Sequence, residues 1–295
     1  MTTTLLIQSL LSGVTNGFVY GLIGLGISVI YRGTRVVNAM QGDFALVAGI
    51  AAYLAMERLG APTLLAFAGG MVAGAAVGWA VELLLVRPTK QRGGTEDSFL
   101  LVTLGGAFAV SAATLLFFGR DSHPVTGIGG SASLDVFDAA IRVHAVWLIV
   151  SSILVVVALR LFYTKTFIGK SIMAASIDAE GAATIGINVP LMRTLTFVLG
   201  GAVGGIAGVL VSPLITLHYE MGLLLTLKGF TAAIIGTLGN PFGAIVGGLA
   251  LGIVEALAIV FVSSGYKDVI AMAFLILIMV AVPNGILGRK GRAGG

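Results

Sequence analysis

The chain has 295 residues, of which 57% are hydrophobic and 10% charged, and its mean hydropathy is +1.06. Soluble domains carry about 25% charged residues to face water, so this composition excludes a soluble fold and leaves lipid as the solvent for much of the surface. Cys is absent, which excludes disulfide and thiolate chemistry, and a net charge of +4 with no basic stripe interleaved with aromatics excludes a nucleic-acid partner.

No Lys or Arg precedes Arg32. The first apolar run therefore lacks the basic segment of a secretory signal and reads as a retained span. A helix needs about 20 apolar residues to cross the hydrocarbon core. Runs at 5–30, 37–56, 63–86, 99–118, 143–163, 195–217, 222–238, 242–262 and 269–287 meet or approach that length. They predict an all-α polytopic membrane protein with about eight or nine transmembrane helices in a single domain, 1–295. The run 222–238 is short enough to re-enter instead of spanning.

Orientation follows from Lys and Arg. Arg32 and Arg35, the segment 87–98 with Arg87, Lys90 and Arg92, the segment 160–193 with Arg160, Lys165, Lys170 and Arg193, and the tail with Arg289, Lys290 and Arg292 all fall on one side if each run crosses. That side is expected to be the cytoplasm, with the N-terminus outside and the C-terminus inside. A polar external loop or hairpin is expected at 119–142, where Asp121, Asp135 and Asp138 stand against Arg120 and Arg142.

Small residues recur every four positions at Gly13, Gly17 and Gly21, at Gly70, Gly74 and Gly78, at Gly200, Gly204 and Gly208, and at Ala244, Gly248, Gly252 and Ala256. Such stripes let helix backbones approach closely in lipid, where no hydrophobic effect drives them together. They read as packing faces first and as a pore lining second.

Two stretches break the membrane rules. In Arg35-Val36-Val37-Asn38-Ala39-Met40-Gln41-Gly42-Asp43-Phe44, Asn38 and Gln41 share a helix face and Gly42 permits a break. A carboxylate inside a membrane helix is costly, so Asp43 is expected to meet water, a partner or a helix N-terminus; an interfacial turn capped by Asp43 is the plainer alternative. The second stretch is Lys228-Gly229-Phe230-Thr231 followed by Gly236-Thr237-Leu238-Gly239-Asn240-Pro241. It predicts a short or discontinuous helix, of the kind that places a substrate site near the bilayer midplane, or else a simple cytoplasmic turn at Gly239-Asn240-Pro241.

Glu82 lies five residues before Arg87 and is expected to reach the interface by snorkelling. Glu255 lies deeper and must be paired or protonated, with an interhelical hydrogen bond favoured. His123, His144 and His218 are scattered, at no metal-binding spacing, and read as interfacial or loop residues. The segment 164–194 predicts a short surface helix from Ser171 to Ile185, ended by Gly186-Ile187-Asn188. Such a helix either receives force from a soluble partner or merely ties two spans together. No G-x-x-x-x-G-K-[ST] occurs, so any nucleotide hydrolysis belongs to another chain.

Five stretches in order resemble the permease subunits of branched-chain amino-acid ABC importers, the LivH-like family. They are Asn16-Gly17-Phe18-Val19-Tyr20-Gly21-Leu22-Ile23-Gly24-Leu25-Gly26; Val37-Asn38-Ala39-Met40-Gln41-Gly42-Asp43-Phe44; Ala182-Ala183-Thr184-Ile185-Gly186-Ile187-Asn188; Lys228-Gly229-Phe230-Thr231-Ala232-Ala233-Ile234-Ile235-Gly236; and Gly243-Ala244-Ile245-Val246-Gly247-Gly248-Leu249-Ala250-Leu251-Gly252-Ile253-Val254-Glu255-Ala256. The resemblance implies an ABC-importer permease bundle with discontinuous or re-entrant segments, set in a bacterial inner membrane.

It also implies a second, LivM-like permease subunit, two cytoplasmic ABC ATPases and an extracytoplasmic substrate-binding protein as partners. ATP is then used by the partners, and this chain holds no cofactor, no metal and no enzyme active site. Asn38, Gln41, Asp43, Lys228 and Thr231 of the two rule-breaking stretches, with Asn16 and Tyr20, are the candidate pathway residues. By the same resemblance 171–188 looks like the coupling helix, with Asp178, Ala182, Gly186 and Ile187 as candidate ATPase-coupling positions. One departure bears on the cargo. The family pattern Asn-Phe-Ala-His-Gly-Glu is replaced by Asn38-Ala39-Met40-Gln41-Gly42-Asp43, which removes an imidazole and an aromatic ring and leaves the substrate class at amino acids or similar small polar solutes. The alternative is an ion-coupled secondary transporter acting alone, with Asp43 or Glu255 as its ion site.

Overall fold

The computed structural model describes residues 3–130, 132–136, 139–282 and 285–288. Asp138 of the 119–142 segment, positions 283–284 of the last apolar run, and the tail charges Arg289, Lys290 and Arg292 lie outside them.

Twelve α-helices occur among the described residues. In chain order they are α1 (Thr3–Thr34), α2 (Gln41–Leu59), α3 (Thr63–Val81), α4 (Arg87–Gln91), α5 (Glu96–Phe118), α6 (Val143–Lys165), α7 (Phe167–Ile177), α8 (Ala179–Thr184), α9 (Val189–Val211), α10 (Met221–Gly236), α11 (Pro241–Phe261) and α12 (Lys267–Ala281). A π-helical turn at Glu82–Val86 joins α3 to α4 without a break. Among the described residues, seven helical stretches are long and apolar enough to cross a membrane: α1, the continuous α3–α4 rod, α5, α6, α9, α11 and α12 with its preceding turn. Each of the nine apolar runs contains one long helix.

Several expectations change in detail. The run 37–56 turns helical only at Gln41, because Arg35 adopts φ +58 and terminates α1. The run 195–217 stops being helical at Val211. At 16 residues, α10 is about 24 Å long, short of the ~30 Å hydrocarbon core. The single helix expected from Ser171 to Ile185 is instead two helices. Asp178 is extended (φ −143, ψ 101) and its Oδ1 accepts a 2.9 Å hydrogen bond from the Gly181 amide, so it caps α8 and interrupts the ladder. Gly186, at φ +86, then turns the chain toward α9.

The segment 119–142 contains a two-stranded antiparallel hairpin, β1 (Ser133–Val136) and β2 (Ala139–Arg142), with Ser133 opposite Arg142 and Asp135 opposite Ala140. Gln8 of α1 holds it through two hydrogen bonds, donating to the Ala140 carbonyl at 2.9 Å and accepting from the Ala140 amide at 2.8 Å.

The small-residue stripes are helix–helix seams. A Cβ placed on Gly17 would sit 2.8 Å from Leu249 Cα, and one on Gly248 would sit 2.5 Å from the Gly17 carbonyl oxygen. Gly74 meets Gly205 of α9 as closely, while Gly204 and Gly208 on the other face of α9 receive Phe44 and Ala45 of α2. With no side chain between them, α1 packs backbone to backbone on α11, and α3 on α9. This seats α1, α2, α9, α10 and α11 as a tight centre, while α5, α6 and α12 keep mostly exposed apolar faces for lipid.

Candidate functional site

Two polar clusters interrupt this apolar bundle. The first surrounds the start of α2, where α1, α2, α9 and α10 meet. Asn38 is buried and turns its Oδ1 onto the Met40 amide at 3.1 Å, an Asx turn that sets up the helix. Gln41 is buried against Gly26 and Gly204, and its Nε2 donates to the Gly200 carbonyl at 2.9 Å. The Gly42 amide donates to Thr226 Oγ1 at 2.8 Å, and that hydroxyl donates in turn to the Gly222 carbonyl at 3.0 Å.

Asp43 is fully buried in the first turn of α2 and lies against Gly222 in the first turn of α10. Neither of its carboxyl oxygens has a hydrogen-bond partner among the described residues. Asp43 thus lies beside the first turns of two helices, one of the three surroundings expected for it, and does not cap α2 as in the plainer alternative.

The second cluster lies between α1, α10, α11 and α12. Glu255 is buried, and its Oε2 accepts from the Tyr20 hydroxyl at 2.8 Å. Its Oε1 pairs with Lys228 Nζ, which also reaches Asp268 Oδ1. Lys228 Nζ stands 5.6 Å from the Tyr20 ring centroid, within cation–π range. The interhelical bond favoured for Glu255 is therefore present, with an ammonium as a second partner.

Beside it opens a cleft of about 180 Å³ lined by Ser12, Asn16, Glu255 and Lys267 among others. A larger cavity of about 510 Å³ adjoins it between α1 and the hairpin, lined by Gln8, Ser12, Asn16 and Arg142. Gln8, Ser12, Asn16 and Tyr20 recur at four-residue steps, so one face of α1 is polar from near its N-terminal end to Lys228.

The structure thus brings Asn16, Tyr20 and Lys228 together, and separately Asn38, Gln41 and Asp43. Thr231 belongs to neither group; it is buried within α10 and returns its hydroxyl to the Leu227 carbonyl at 2.9 Å. Sequence reasoning missed Asp268, Lys267 and Thr226. The four-residue period of polar side chains on α1 was available to it and went unread.

At the other end of the bundle, Glu82 does not snorkel. It is fully buried, with Arg193 Nε at 3.0 Å, Arg87 Nη2 at 3.3 Å and the Thr194 hydroxyl at 3.0 Å. The π turn shifts the register so that Glu82 and Arg87, five apart, share one face. His144 is likewise a buried residue and not a loop one: its Nε2 donates to the Leu210 carbonyl at 2.8 Å and its Nδ1 accepts from the Ile128 amide.

Along the α7–α8 segment, Asp178 and Gly186 are exposed, Ile187 is half-buried and Ala182 is buried. The surface there is apolar, with Ile177 76% and Ile185 75% exposed outside any span.

These features define a multi-pass α-helical membrane protein whose polar groups are concentrated at helix ends and in two interior clusters. The family model for the permease component of branched-chain amino acid transport systems matches residues 9–282. The chain belongs to that family. It is 31% identical to the high-affinity branched-chain amino acid transport system permease protein LivH of Salmonella typhimurium, over 96% of each chain. It is 30% identical to the corresponding permease protein BraD of Pseudomonas aeruginosa, again over 96% of each. Among solved structures, PsaBC from Streptococcus pneumoniae in complex with Fab aligns over 93% of this chain and 91% of that one, with a TM-score of 0.48 and 16% identity, too loose a match to carry an argument.

Proposed function

We propose that the chain is a transmembrane permease subunit of an ABC importer that moves branched-chain or other amino acids, or similar small polar solutes, into the cytoplasm. It works with a second, LivM-like permease, two cytoplasmic ATPases and an extracytoplasmic binding protein, in a bacterial inner membrane, with the N-terminus outside. ATP is hydrolysed by the partners, and this chain is not itself an enzyme.

The observation that carries this reading is the apolar surface of α7–α8. Ile177 and Ile185 stand exposed on a short two-helix segment that follows the Lys165 end of α6. Water is a poor neighbour for such a pair, and a groove on a soluble partner is a good one. Asp178 fixes the angle between the two helices, so a push on α8 is delivered to α9 through Gly186 and Ile187. Within the bundle, Asn16 and Glu255 line the cleft, Tyr20 and Lys228 stand behind it as partners of Glu255, and Asn38, Gln41 and Asp43 form a separate polar station.

The test is a tagged pull-down from the native membrane followed by reconstitution. ATPase subunits and a second permease recovered in near-equal amounts, and uptake that requires ATP and the binding protein, are the expected outcome. Recovery of the chain alone under mild detergent sinks the reading. Asp43, buried with both oxygens unpartnered, favours an ion-coupled transporter as the second reading. Uptake that persists in full after collapse of the ion gradients eliminates it.

A further inference from the structure

A groove of about 370 Å³ runs between the Thr34 end of α1, the Lys165 end of α6 and the start of α11. Arg32 and Arg160 line it, with Tyr163, Phe242, Val156 and Leu159. Neither guanidinium has a carboxylate within 4 Å among the described residues, whereas Arg87, Arg193 and Lys228 do. Each is instead held beside an aromatic ring, Arg32 at 5.2 Å from the Tyr163 centroid and Arg160 at 5.5 Å from that of Phe242. Arg32 spends its Nε on Met173 Sδ, a weak acceptor at 3.1 Å, which leaves its terminal nitrogens without a hydrogen-bond partner among the described residues.

Tyr163 is 6% exposed, and its hydroxyl has no hydrogen-bond partner among the described residues. The hydroxyl itself has no accessible surface, so what Tyr163 gives the groove is its ring, beside which Arg32 is held.

The groove also has depth. Val156 lies two turns from Thr164, about 12 Å along α6, so the lining passes from the charged end into the apolar band. Val157 and Leu161 beside it are exposed apolar residues of a lipid-facing helix. A soluble anion matches the arginines but leaves this apolar stem uncovered; a phospholipid matches both.

We propose that this groove binds an anionic phospholipid, its phosphate held by Arg32 and Arg160 and an acyl chain lying along Val156 and Leu159. Guanidinium pairs suit phosphate oxygens in geometry as well as charge, and basic pockets between spans on the cytoplasmic side are suited to such headgroups. Assignment to the cytoplasmic leaflet rests on the orientation proposed above, but the binding does not.

The test uses the full chain, with whatever subunits accompany it, purified and exchanged into nanodiscs of phosphatidylglycerol mixed with phosphatidylcholine. Lipid retained with the protein is counted by native mass spectrometry. At the ordinary worth of a basic residue on an anionic surface, two arginines predict a preference for phosphatidylglycerol on the order of thirtyfold. Arg32→Gln with Arg160→Gln abolishes that preference, and the exposed Arg160→Gln alone lowers it on the order of fivefold, which keeps the test intact if the double variant fails to fold.

Equal retention of both lipids, or a preference unchanged in these variants, overturns the proposal. So does thermal stabilisation by inorganic phosphate equal to that by phosphatidylglycerol, since that marks a solution-anion site. An acidic partner subunit in the groove reveals itself as loss of the lipid preference whenever that subunit is recovered, and this too overturns it. The measurement requires neither ATPase nor uptake, so failure of the importer reading leaves its outcome readable.

Discussion

Lys228 holds two carboxylates at once, Glu255 deep in the bundle and the more exposed Asp268 at its edge. Removing one partner of a buried pair leaves the other charge uncompensated, whereas replacing both by neutral groups is often harmless. Lys228→Met is therefore expected to cost about 3 kcal/mol in unfolding measured in detergent. The double variant Lys228→Met with Glu255→Gln is expected to recover most of it; a double variant as unstable as the single one refutes the pairing. Lys228 and Glu255 were legible in the sequence because ionisable residues in apolar runs have few explanations. Asp268 was not, since only the fold brings α12 against α10. Glu82 misled for a different reason: at 3.6 residues per turn a residue five positions from Arg87 points elsewhere, and only the π turn aligns the two.

Among the elements, the apolar runs located all nine long helices, because a length of hydrocarbon admits few alternatives to a helix. What the runs did not carry were the stops. Arg35, Asp178 and the residues after Val211 end helices through backbone conformation and side-chain caps, which act over two or three residues and leave hydropathy unchanged. The glycine stripes were legible as packing faces but not as pairs. Their pairing predicts a contrast between two single substitutions. Gly248→Val places a Cβ 2.5 Å from the Gly17 carbonyl oxygen, and overpacking of this kind costs ~3 kcal/mol or more. Gly105→Ala in α5 meets nothing within 4 Å, and is expected to be neutral or to stabilise by up to about 1 kcal/mol through helix propensity. Thermal unfolding of the two variants in one detergent checks both signs. Asp178→Ala removes the α8 cap and is expected to cost about 1 kcal/mol locally, read as faster amide exchange at Gly181 with α9 unaffected.

For the molecule as a whole, the apolar α7–α8 surface makes assembly separable from folding. Ile177→Asp with Ile185→Asp alters two side chains that are mostly exposed, so the melting temperature of the isolated chain is expected to hold within a degree or two. Recovery of ATPase subunits in the pull-down is expected to fall at least tenfold, by the usual weight of apolar anchors in an interface. Unchanged recovery assigns that surface some other neighbour. The class of molecule was legible from composition alone, and the family from five short stretches in order. The two polar clusters were legible only in part, because each is assembled from helices far apart in sequence.

The seam between α1 and α11 divides the molecule mechanically. Two backbones seated groove to groove, with Gly13, Gly17, Gly248 and Gly252 at the points of closest approach, have no side chains to act as rollers. They can pivot together but cannot slide past each other without unseating every ridge. Any working stroke must therefore carry α1 and α11 as one stiff strut. The two helices run antiparallel, so the compliance falls to two joints at the same end of that strut: the non-helical link from Arg35 to Met40 that leads into α2, and the Thr237–Asn240 turn that leads from α10.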